Sequence, residues 1–237
     1  MKIIKFYVSV LLLILSSTTT WSETVTMNDL VETNGLFYKK FTDVPFSGEI
    51  SGTESGKFVD GKRDGLWKSY YVKSGRLERR GNYKDGKKDG PYELFYNNGG
   101  LWEKGIHRDG ILFGPSETFY ENGQLWQKKN YKDGKLDGLF ETFYDNGQLK
   151  KKVNAKNGKS EGLVEFFHKN GQLLHRGNYK DGKKIDSLFE TFHDNGQLWQ
   201  KGNFKDGKLD GLLEYYSEDG TLLKTETYKD GELVGSP

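Results

Sequence analysis

Four histidines and one column of glutamates are the residues of this chain best suited to chemistry. Imidazole changes protonation near neutral pH and ligates zinc through a ring nitrogen, so His107, His168, His175 and His193 are the first candidates. A zinc site gathers such ligands with carboxylates or thiolates. His168 and His175 can share a face of one hairpin with His193 one repeat on, but no carboxylate converges on them and cysteine is absent. Glu93, Glu117, Glu141, Glu165, Glu190 and Glu214 form the second candidate set. Neighbours in that column, one hairpin apart at about 9.6 Å, fall in the separation range of inverting glycosidases. A general acid, however, needs a raised pKa in a cleft, whereas the first five glutamates each face a cation across a hairpin. No nucleophile triad order, phosphate loop or HExxH sequence accompanies them. No catalytic residue, metal ligand or bound cofactor is expected.

The element that places all of these residues is a repeat. Phe58, Tyr83, His107, Tyr131, Ala155, Tyr179, Phe204 and Tyr228 recur 24 or 25 residues apart, typically just before an Asp-Gly pair. Self-similarity at such a period marks stacked supersecondary units. Each unit carries an Asn-Gly and an Asp-Gly turn signal between short stretches of Phe, Tyr, Thr and Leu, the strongest local pattern for β-hairpins. Glycine is too frequent for any long helix to persist: 31 of the 237 residues are Gly, about twice the ordinary 7% usage. Within this repeat His107 stands where a Tyr precedes Asp-Gly, and His168 and His193 replace the Tyr before Asn-Gly, which makes them aromatic ladder members.

Treating Asn146-Gly147 as a two-residue type I′ turn sets a register. Phe143 then faces Lys150 and Glu141 faces Lys152. Carried along the array, the same rule pairs Phe95 with Trp102, Phe119 with Trp126, Phe167 with Leu174 and Phe192 with Trp199. It also pairs Glu93 with Lys104, Glu117 with Lys128, Glu165 with Arg176 and Glu190 with Lys201. Such aromatic and opposite-charge cross-strand pairs each contribute about 0.2–1 kcal/mol, and a one-residue slip destroys them all. Tyr92 faces Gly105 and Phe189 faces Gly202, where a ring can cover bare backbone. The expected fold is all-β: an elongated single-layer antiparallel β-hairpin meander of about eight 24-residue units, a twisted ribbon on the order of 75 Å long. An apolar fraction of only 34% suits a sheet without a deep core.

Residues 1–22 have the layout of a secretory signal peptide: Lys2 and Lys5, an uncharged and mostly apolar run over residues 6–15, then small residues up to a cleavage site near Ser22. Residues 23–57 read as a degenerate cap and residues 58–237 as the array. The two lysines of the leader account for the whole net charge of +2. The remainder is neutral, which argues against nucleic-acid binding through phosphates and gives no electrostatic support to membrane association.

The unit N-G-x-L-x5-Y-K-D-G-K-x-x-G, as in NGQLWQKKNYKDGKLDG over residues 122–138, resembles the MORN repeat variant of many bacterial exported proteins, a group that includes the YwqK-type antitoxins. The resemblance spans about residues 34–237. It implies a hairpin array used mainly for protein contact, and the antitoxin group implies an inhibitor with a cytosolic partner. The Tyr-x-Gly-x-Trp core of the standard MORN repeat is missing, so lipid recognition is not carried over. The expected function is an exported, non-enzymatic protein-interaction module. An antitoxin-like inhibitor is the alternative, and a glycan-binding or sugar-acting protein a more distant one. Phe95, Trp102, Phe119, Trp126, Phe192 and Trp199, interleaved with Glu and Lys, are the candidate partner-binding face.

Overall fold

The computed structural model describes residues 24–185 and 187–235; the expected leader lies outside them. Apart from a single 3-10 turn at Met27–Asp29, every regular element among them is a strand. Strands β1 (Leu30–Thr33) and β2 (Leu36–Lys39) form a separate hairpin. The rest is one antiparallel meander of 21 strands, opening with β3 (Gly48–Ile50), β4 (Glu54–Val59), β5 (Lys62–Tyr70), β6 (Leu77–Lys84), β7 (Lys87–Phe95) and β8 (Leu101–Arg108). The expected all-β hairpin array is therefore the observed fold.

The two turn signals fold differently. Asp-Gly makes the two-residue type I′ turn, with both central residues at positive φ, as at Asp133 (51°) and Gly134 (74°). Asn-Gly does not. Tyr144 N–H donates to Gln148 O at 2.8 Å, Gly147 N–H donates to Tyr144 O at 2.9 Å, and of the loop residues only Gly147 has positive φ, 85°. This is the three-residue loop built from a type I turn closed by a left-handed glycine.

That turn corrects part of the predicted register. Glu141 pairs with Lys152 as expected, but Phe143 pairs with Leu149 rather than Lys150, because a bulge between Thr142 and Phe143 absorbs the offset left by the longer loop. The partners of Phe95, Phe119, Phe167 and Phe192 are likewise Leu101, Leu125, Leu173 and Leu198. The charged pairs stand as predicted and continue across hairpin junctions: Glu117 lies between Lys104 and Lys128, and Glu190 between Arg176 and Lys201.

Successive tips are tied together by their polar ends. Tyr96, Tyr120 and Tyr144 donate their hydroxyls to Phe119 O, Phe143 O and Phe167 O at 2.7–2.8 Å. His168 and His193 place Nε2 at 3.1 and 2.9 Å from Phe192 O and Tyr216 O, the same bond from a different ring. The turn asparagines act in two directions. Asn146 Oδ1 accepts from Gln148 N within its own turn, while Nδ2 donates to Lys169 O of the next. At the last tip of the described array Asp219 accepts the local bond from Thr221 N, and an acid suffices there because nothing has to be donated onward. Asn146→Asp should therefore keep its turn and lose its tie to the neighbour, costing about 0.5–1.5 kcal/mol in urea unfolding; an undiminished midpoint would show that the tie adds nothing.

Among the described residues the thick core lies at the leading end. Leu30, Ile50, Phe58 and Trp67 are buried together, with Val25, Met27, Phe37, Phe46 and Tyr83 packed around them. The β1–β2 hairpin is fastened over this end by Phe37 N–H donating to Gly61 O at 2.8 Å.

Candidate functional site

Strand alternation gives the sheet two unlike faces. The first carries the Glu/Lys ladder, and the six predicted residues fall on it in two rows rather than as pairs. Trp102, Trp126 and Trp199 follow the bulges and stay 39–44% exposed. Each leans on the tip ring of its own hairpin: Trp102 on Tyr96, Trp126 on Tyr120 and Trp199 on His193, with centroids 5.8–6.1 Å apart. Phe95, Phe119 and Phe192 are half-buried beneath the ladder, with Arg80, Lys104 and Arg176 5.6–6.0 Å from their centroids. The ladder cations are thus held twice, by a ring below and by a carboxylate beside them: Arg80 with Glu93, Lys104 with Glu117 at 2.8 Å and Arg176 with Glu190 at 2.5 Å.

A second exposed row on this face was not foreseen. Leu66, Ile106, Leu139, Leu163, Leu188 and Leu212 are 36–49% exposed, and several of them face an Asn across the hairpin, as Leu139 faces Asn154 and Leu163 faces Asn178. For Leu139, Leu163, Leu188 and Leu212 the signal in the sequence is the recurrent Leu two positions before the ladder Glu. Two apolar rows thus flank a charged one, repeated every second strand, about 9.6 Å.

The histidines do not converge. His168 Nδ1 lies 2.7 Å from Asp194 Oδ1, and His175 stacks on Phe166 with centroids 4.2 Å apart. Among the described residues no three His, Asp or Glu side chains are placed to hold a metal ion. His107 and His175 are both held below the usual imidazole range, by burial first and by Lys88 and Lys184 respectively second. The fold favours their neutral forms, so the stability they contribute is complete above the unfolded value of about 6.5 and is lost as pH falls below it. Replacing both by Phe should flatten the fall in Tm between about pH 7.5 and 5; an unchanged slope would assign the acid sensitivity to carboxylates.

The second face is closed along most of its length by Ser116, Thr118, Val153, Val164 and Leu213. It opens near the leading end into a groove of about 230 Å³, bordered by Arg63, Trp67, Arg79, Tyr92, Glu103 and His107. Sequence reasoning missed it. Its signal was departure from the repeat: Arg63 stands where later units mostly have Leu or Lys, and Arg79 where they have Glu, Gln, Lys or His.

No helix among the described residues is long and apolar enough to cross a membrane. No curated protein matches the chain. The repeat itself is matched: residues 114–133, 136–157, 160–181, 186–206 and 209–230, five successive units of the sheet, carry the MORN repeat variant.

Proposed function

We propose that the chain is an exported, non-enzymatic repeat protein that serves as a protein-interaction module, contacting an envelope or host protein through the tryptophan-bearing face. The observation that carries this reading is the exposure of Trp102, Trp126 and Trp199 at one repeat position, held by Lys150 and Leu174 in the two intervening units, beside a fixed charge ladder. Repeat arrays bind along such continuous faces, and exposed aromatics on rigid supports lose little entropy when covered. Each ladder tryptophan already rests on a tip ring, so its position is set before a partner arrives. Glu117 and Glu190 each lie between two basic residues on an open sheet face rather than in a cleft, which offers no enclosed site for general-acid chemistry. Export rests on the basic and apolar leader of residues 1–22.

The test is a pull-down from the native envelope with residues 23–237 as bait, followed by binding of the recovered partner to a Trp102→Ala/Trp126→Ala/Trp199→Ala variant. Affinity should fall at least about 100-fold, somewhat more than the loss of one hot-spot residue, with the cooperative melt retained. Undiminished binding by the triple variant would remove this face from the interaction. N-terminal sequencing of the cell-derived protein tests export independently: a chain that keeps its leader in the cytosol would favour an antitoxin-like inhibitor.

A further inference from the structure

The groove on the second face is built differently from the rest of the array. Its floor is the bare backbone of Gly81 on β6, which pairs with Trp67 on β5 and with Tyr92 on β7. A Cβ at position 81 would come within 3.2 Å of Tyr92 Cβ, so the glycine keeps this strip low between two aromatic residues. On one side the Arg63 guanidinium lies 4.6 Å from the Trp67 ring and 5.6 Å from the Tyr83 ring. On the other, the Tyr92 and His107 rings meet at 4.6 Å.

Its polar groups are arranged for an anion. Arg63 and Arg79 converge on the two oxygens of Glu54, at 3.2 and 3.1 Å, so the guanidiniums already meet around one carboxylate. Arg79 is oriented further by Ser69 Oγ at 2.8 Å, and Lys88 adds a third positive charge to the lining. Across the groove Tyr92 OH donates to Glu103 Oε1 at 2.5 Å; burial first and this bond second push the phenol far above the usual tyrosine range, so it remains a donor. Two buried side-chain polar atoms among the described residues lack a hydrogen-bond partner, Arg63 Nε and His107 Nδ1. Both residues border this groove. Unpaired buried polar atoms are rare in folded proteins, and two bordering one cavity mark a site that is incomplete by itself.

We propose that this groove binds an acidic sugar, a hexuronate ring either free or as one residue of an acidic polysaccharide. A pyranose lays its C–H face on aromatic rings while its hydroxyls seek polar side chains; the half-buried Tyr83 and Tyr92 offer the rings, and His107 and Glu103 the polar groups. The uronate carboxylate replaces that of Glu54 as partner of Arg79 and Arg63, with Lys88 neutralising the displaced charge. An Asp or Glu side chain of a protein partner would satisfy the guanidiniums but leave the rings uncovered. A partner's aromatic side chain would cover the rings but leave the charges unmet. The groove also has room for about one hexose, which excludes a longer segment from its floor.

Calorimetric titration of residues 23–237 with galacturonate, galactose, benzoate and an oligogalacturonate tests the assignment. Galacturonate or its oligomer should bind at least about tenfold more tightly than galactose or benzoate. Arg79→Gln should weaken that binding at least about tenfold while leaving the melt intact. The triple tryptophan variant of the other face should bind as the parent does, so this proposal and the protein-interface reading fail separately. Binding by the oligomer alone would assign the groove to polysaccharide, and binding by both to the ring itself. Equal binding of galactose, tighter binding of benzoate, indifference to Arg79→Gln, or no saturable binding of either acid would each overturn it.

Discussion

Replacing Phe58 by alanine will lower the unfolding free energy by about 3–5 kcal/mol, the range for deleting a fully buried aromatic ring. Phe58 has no solvent exposure. Its ring centroid lies 4.8 Å from Phe37, 5.8 Å from Phe46 and 4.9 Å from Trp67. These contacts join the sheet to β2 and the segment after it, so the lost ring separates the leading hairpin from the array as well as opening a cavity. In a repeat protein stability is close to a sum of units and their interfaces, and a single-layer sheet with few fully buried large side chains among its described residues has few places where one residue can count for so much. The expected signature is spatial as well as energetic. Hydrogen exchange in the variant should lose protection first over residues 24–84, with the middle of the array close to its parent values. Trp67 Nε1 donates to Lys57 O at 3.1 Å, which makes its indole fluorescence a local reporter of the same event in urea. A loss below about 1 kcal/mol would mean that the hairpin is held by its backbone bonds alone.

The repeat, the sheet and the charge register were legible because each rests on a pattern with one physical solution. Glu141 can face Lys152 only in one register, and the same holds for every charged pair in the column. The tip was ambiguous because Asn-Gly suits both the type I′ turn and the three-residue loop, and charged pairs several residues away cannot sense an offset that a bulge removes. The bifunctional asparagines were the missed clue. A type I′ turn does not require an amide that donates sideways, yet Asn122, Asn146, Asn170 and Asn195 all donate to the following turn. The histidine reading succeeded for His168 and His193 because a ring nitrogen can make the bond that a tyrosine hydroxyl makes in other tips. His107 keeps the aromatic role that its position in the repeat implies, its ring meeting Tyr92 at 4.6 Å, but its Nδ1 has no hydrogen-bond partner, which the repeat does not foretell. Arg63 and Arg79 break the period, and a consensus averages such residues away.

The glycines divide into two kinds, and substituting asparagine at one of each will separate them. Gly207 sits at φ +78° with nothing within 4 Å of the place a Cβ would occupy, so backbone sign is its sole requirement. Asparagine enters the left-handed region more readily than other residues with a side chain, and Gly207→Asn should cost no more than about 1 kcal/mol. Gly202 is the opposite case. It is buried in the middle of a strand without positive φ, and a Cβ there would lie 2.7 Å from Phe189 Cε1 and 3.0 Å from Leu213 Cδ1. The Phe189 ring covers the bare backbone, as the pairing of an aromatic with glycine implied, and Leu213 closes over it from the next hairpin. Gly202→Asn must expel the ring or bury an amide, so it should cost at least about 3 kcal/mol through overpacking and an unmet polar group. Gly202→Ala should fall between, at about 1–3 kcal/mol. A second variant shows that crowding is the cause: Phe189→Leu, mildly destabilising alone, should recover part of the loss in Gly202→Ala through a favourable coupling of about 1 kcal/mol in a double-mutant cycle. Equal costs for asparagine at positions 202 and 207 would mean that both glycines are there for chain flexibility, and that the ring covering Gly202 contributes nothing to the sheet.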